Sequence, residues 1–148
     1  MYTKNSIRPE WIIEGFNNEE PIIWAKEFAS FLARSGGQYI KETNIVFAEE
    51  KTLSTSKLRK FFGQVKRIQA EGFDNSKSKL LMLSPQLAYT VGRDKKVVRG
   101  QRVNETKINF LADELIAGLR YVTEKPHFKN FVNLMEAIVA YHKAEGGE

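Results

Sequence analysis

The chain has 148 residues, 42% of them apolar and 28% charged, proportions of a folded globular protein that exclude a disordered one. It has no cysteine, which excludes disulfides and thiolate metal sites, and its longest apolar run, Ala137 to Tyr141, falls far short of the about 20 residues a membrane helix needs. The net charge of +5 is unevenly spread: residues 53–102 hold twelve basic and three acidic side chains, whereas 1–52 and 103–148 are each net −2.

Such segregation sets up a local positive field that favours a polyanion. No internal repeat and no Gly/Ser/Pro-rich linker divides the chain. A single helical domain over 1–148 is expected, with 1–19 as an N-terminal arm that need not be ordered. Arg8, Glu10 and Glu14 interrupt the short apolar pieces of that arm, so no signal peptide is read there and a cytoplasmic location is expected.

In chain order, the first helix starts at Pro21, since proline suits the first helical position. Trp24, Phe28, Phe31 and Leu32 share one face, and Gly36-Gly37 ends it. Residues 38–52 read as a loop with a short helix: Ile45, Val46 and Phe47 are good strand formers, but no partner strand offers itself. Ser54-Thr55-Ser56 supplies capping hydroxyls for a helix over about 55–71. Another follows over about 76–92, where Pro85 either kinks it or opens a new helix capped by Ser84. Residues 93–102 read as a mobile basic loop. A helix over about 104–123 buries Ile108, Leu111, Leu115, Leu119 and Val122. The last opens at Pro126 and aligns Phe128, Phe131, Met135, Ile138 and His142. The expected fold is therefore all-α, a compact bundle of about five helices.

The helix over 55–71 carries the most information. At about 100° per residue, Leu58, Phe61, Phe62, Val65 and Ile68 fall within one arc. Lys57, Arg59, Lys60, Lys66 and Arg67 all fall outside it. A solvated helix usually interleaves Glu with Lys at i,i+4 spacing. Here Glu71 is the only nearby carboxylate, so the solvent side is a candidate track for phosphates. A second candidate is the basic loop, with Arg93, Lys95, Lys96, Arg99 and Arg102. Tyr39 and Tyr89 are possible stacking rings, although a lone Tyr is more often a half-buried packing residue.

Catalytic and metal chemistry find no support. His127 and His142 lack metal-ligand spacing, His142 reads as a core histidine, and His127 as an exposed first-turn residue. The glycines form no phosphate loop. No cofactor and no enzymatic activity are expected. A helix-turn-helix DNA regulator is an alternative, because Gly72 lies in a short turn between two helices. The run Leu80-Leu81-Met82-Leu83 that follows suits burial better than base reading. A helical adaptor for an acidic protein is the other alternative.

Three blocks carry a family resemblance: Leu53 to Gln69, Leu81 to Arg93, and Phe131 to His142. Together, in this order, they resemble the small subunit of the type III-A CRISPR effector, the Csm complex. The resemblance implies an all-helical, non-catalytic RNA-binding subunit of an antiviral defence complex. It implies contact with guide RNA and target RNA, with other subunits, and with copies of itself in a filament. It matches Lys57, Arg59, Lys60, Lys66 and Arg67 to the family's nucleic-acid-facing helix, and Arg93 to the Arg that closes the second block. For Lys95 and Lys96 the RNA role rests on charge alone. Ile45, Val46 and Phe47 are expected to supply apolar surface for subunit contacts.

Overall fold

The computed structural model describes residues 1–48, 52–94, 96–98, 101–103 and 106–146, with backbone only at 94, 96–98 and 101–103. Among the described residues six helices and two hairpins run in the order α1 Pro9–Ile13, α2 Glu20–Ala33, β1 Gln38–Lys41, β2 Asn44–Phe47, α3 Thr55–Glu71, α4 Lys77–Asp94, β3 Lys96–Val98, β4 Gln101–Val103, α5 Lys107–Leu119 and α6 Lys125–Ala144. The architecture is mainly helical, but the all-α expectation is corrected by the two antiparallel hairpins and a sixth, five-residue helix.

The helix ends follow side-chain chemistry. The Ser54 hydroxyl accepts the Lys57 amide at 3.2 Å to cap α3, and Thr106 does the same for the Asn109 amide of α5. Pro21 and Pro126 sit in first turns, where a missing N–H costs nothing. Pro85 lies inside α4, which runs on through it as one helix. Its outward position lets the chain lose one backbone bond without burying the orphaned carbonyl's neighbourhood.

Residues 38–48 are not a loop. Gln38 pairs with Phe47, Tyr39 with Val46, Ile40 with Ile45 and Lys41 with Asn44, and Glu42 takes the left-handed turn position at φ +59°. The strand partner that the local pattern did not reveal also comes from the chain start. Ile40 donates its amide to the Tyr2 carbonyl at 2.9 Å and accepts from the Lys4 amide at 2.8 Å. The segment read as a mobile basic loop likewise contains the hairpin of β3 and β4, with Lys96 facing Val103 in the register.

Helix α6 is the spine, packed by α1, α2 and α3, while α4 lies on α5. One cluster of buried side chains joins these elements. At its centre the Tyr2, Phe28, Phe31, Tyr39 and Phe110 rings meet, with centroids 4.7 Å apart for Tyr2–Phe28 and for Tyr39–Phe110. Residues 1–19, read from sequence as an arm, carry Tyr2, Trp11 and Ile12 into this core. No helix among the described residues is long and apolar enough to cross a membrane.

Candidate nucleic-acid interface

Helix α3 is amphipathic in the sense the sequence implies. Leu58, Phe61, Val65 and Ile68 are buried, and Phe62 is half-buried. All five predicted cations of the helix are exposed. They do not form one stripe, however. Successive residues turn by about 100°, so Lys57, Lys60 and Arg67 flank the buried face on one side, and Arg59 with Lys66 flank it on the other.

The first flank faces α4. The two helices share little contact, and an open cleft of about 710 Å³ lies between them. Lys57 and Lys60 line it from α3, Arg93 from α4, and no carboxylate is in its lining among the described residues. Arg67 lies further along, in a shallower groove with Lys79 and Gln86. Arg59, Lys60 and Arg67 have no ion pair or hydrogen bond with any described residue. The structure thus brings Lys57, Lys60 and Arg93 together, sets Arg67 beside them, and leaves Arg59 apart. Lys95 lies outside the described residues. Lys96 opens β3, and its side chain is not among those described.

Lys66 differs from the rest. Its ammonium is 3.1 Å from Glu136 of α6 and lies over the Phe62 ring. The carboxylate that partly neutralises this flank therefore comes from a distant helix. Glu71, the local carboxylate, is engaged elsewhere. The Lys79 ammonium at 2.7 Å, the Ser76 hydroxyl at 3.1 Å and the more remote Arg67 charge hold its carboxyl below the usual carboxylate range. That pair ties the start of α4 to the end of α3.

Gln64 and Gln86 also line the cleft, and neither charge nor motif singles them out in the sequence. Tyr89 is 67% exposed, not a half-buried packing residue, and the Arg93 guanidinium lies 5.8 Å from its ring centre. The signal was present in the helical phase. Leu80, Leu83, Leu87 and Val91 bury one side of α4, and Tyr89 stands opposite. The run at 80–83 is split in the same way: Leu80 and Leu83 are buried, whereas Leu81 and Met82 are exposed. Tyr39, the other ring considered for stacking, is wholly buried in the core.

The histidines occupy structural positions. His142 is buried, with Nε2 2.9 Å from the Leu53 carbonyl, and desolvation pushes its pKa down. A neutral ring donating from Nε2 satisfies Leu53 and leaves Nδ1 without a partner among the described residues. His127 is not the exposed residue expected, with only 12% of its side chain exposed. Its Nδ1 accepts the Thr123 amide and its Nε2 lies 3.4 Å from Glu124. Among the described residues no group of three or more histidines and carboxylates is placed to hold a metal ion.

A family model described as Csm2 Type III-A matches residues 37–148. No curated protein and no solved structure matches the chain. The matched span begins beside β1 and takes in α3 to α6 entirely, including the basic helix, the cleft and the helical spine. The chain accordingly belongs to the Csm2 family, the small subunits of the type III-A CRISPR (Csm) complex.

Proposed function

We propose that this subunit takes no part in bond-breaking and serves to hold RNA, the guide or target strand of its complex, on the cationic flank of α3 and the facing side of α4. The observation that carries the reading is the convergence of Lys57, Lys60 and Arg93 on one open cleft whose lining, among the described residues, contains no carboxylate. Exposed cations spaced along a helix meet successive phosphates, which positions a strand without reading its sequence. A subunit of an RNA-guided complex needs that tolerance, because the guide sequence varies. Arg67 extends the track, Arg59 and Lys66 belong to its far edge, and Lys95 and Lys96 add charge beyond Arg93.

The remaining partners follow from the family. As a small subunit it associates with other subunits of the complex. We place copies of the chain side by side in a filament, in the cytoplasm, with Ile45 and Phe47, 61% and 76% exposed, as apolar contact surface.

The test is RNA binding against salt concentration. Single strands give a log–log slope of about −0.7 per neutralised phosphate. Replacing Lys60 and Arg67 together by Glu is expected to weaken binding at least tenfold and flatten the slope, while circular dichroism is unchanged because both side chains are exposed. Salt-insensitive binding, or an unchanged affinity in the double variant, overturns the assignment. An acidic protein that remains bound after nuclease treatment would support the adaptor alternative instead.

A further inference from the structure

The α3–α4 cleft holds more than charge. Tyr89 and Met82, 67% and 51% exposed, project from α4 beside the cations, on the side away from its buried leucines. A phosphate track alone has no use for an exposed phenol ring and thioether, which would be more stable covered. Arg93 lies by the Tyr89 ring, and Gln64 and Gln86 add amides to the same cleft.

We infer that this cleft receives an unpaired nucleobase, stacked on Tyr89, with the flanking phosphates on Lys57 and Lys60. The inference rests on the RNA-binding reading and specifies what the RNA presents. A nucleotide combines a flat π face with an anion, the two features this surface complements. Stacking on an aromatic side chain tolerates every base, because each has a π face. A glutamine amide both donates and accepts, so Gln64 and Gln86 meet any base edge or ribose hydroxyl without selecting one. The volume of about 710 Å³ lies within the usual size range of small-ligand sites. A paired base has both faces occupied by its neighbours, so the site favours single strands or unpaired positions over a continuous duplex.

The test compares a single-stranded RNA with a strand of equal length in which ribose phosphates carry no base. Tyr89→Ala is expected to weaken the intact strand about 5- to 150-fold, the range of one lost base–aromatic stack, and to leave the abasic strand unchanged. Tyr89→Trp restores binding. Trp11 and Trp24 are buried, so the introduced exposed indole reports the cleft, and its emission is quenched by the intact strand only. Equal losses on both strands, or no loss on either, overturn the stacking assignment while salt-dependent binding upholds the RNA reading. Loss of salt dependence in the unaltered protein overturns both. Quenching by an acidic aromatic peptide but not by RNA assigns the cleft to a protein and overturns the inference.

Discussion

The carboxylate of Glu114, in α5, accepts the phenol O–H of Tyr2 at 3.1 Å across 112 residues of sequence. The same carboxylate faces the amides of Ser6 at 3.3 Å and Ile7 at 3.5 Å. One buried acid thus fastens the start of the chain, including the segment that pairs with β1, to the second half of the core.

That acid makes stability depend on pH. Burial, opposed by the Tyr2, Ile7 and Ser6 hydrogen bonds and reinforced by the charge of Asp113, pushes the Glu114 carboxyl up from its ordinary 4.5 to about 7. The folded state then binds more protons than the unfolded state between those values, so the Glu114 contribution to stability falls as pH rises from about 4.5 to 7. The full effect is on the order of 3 kcal/mol. His142 acts in the opposite sense, because burial lowers its pKa and stability is lost as pH falls below its ordinary value of 6.5. Glu114→Gln isolates the first term. Urea denaturation of this variant and the unaltered protein from pH 5 to 8 should show their stability difference shifting in favour of the variant as pH rises. A difference independent of pH would refute the assignment.

Lys107 is 2% exposed, and its ammonium donates to the carbonyls of Phe31 and Gly36 while lying over the Phe31 ring. A lysine from α5 therefore supplies the cationic cap that the end of α2 lacks in its own last turn. Lys107→Met keeps the aliphatic bulk but leaves both carbonyls short of a donor. The expected cost is about 3 kcal/mol, or a fall of roughly 10 °C in thermal midpoint, read by circular dichroism.

The Lys66–Glu136 pair suggests a gain of function. Both partners are about half exposed, so the pair adds little stability, at most about 1 kcal/mol. Glu136→Gln should leave the midpoint nearly unchanged and free Lys66 for phosphate. RNA affinity is expected to rise a few-fold, with a salt slope steeper by up to about 0.7. Unchanged affinity would place Lys66 outside the RNA track.

Gly63 lies in the middle of α3 at an exposed position, and a Cβ added there meets nothing within 4 Å. Gly63→Ala should stabilise the protein by about 1 kcal/mol, because alanine loses less backbone entropy on entering a helix. At Gly118 the added Cβ would lie 3.1 Å from the Ile7 Cδ1, so part of the same gain goes to shifting that side chain. The denaturation midpoint should rise more for Gly63→Ala than for Gly118→Ala.

The phase of α3 was legible because four apolar residues at helical spacing define its buried side wherever the helix sits. The same rule places Tyr89 outside, whereas residue type alone makes a lone tyrosine a half-buried packing residue. The hairpin at Gln38–Phe47 was not legible. Its strands are four residues each, its turn lacks the usual glycine, and β1 also pairs with residues near position 2 that no local pattern connects to it.

Short-range terms settled helices α2 to α6, the cap of α3 and the excess of cations on α3, since periodicity and capping act within a few residues of chain. Contacts between remote segments settled the rest. They determined that Lys57 and Lys60 would meet Arg93 across a cleft, that Glu136 would compensate Lys66, and that Glu114 would hold the N-terminus. Which charges remain uncompensated depends on distances between elements, and only the packed chain sets those.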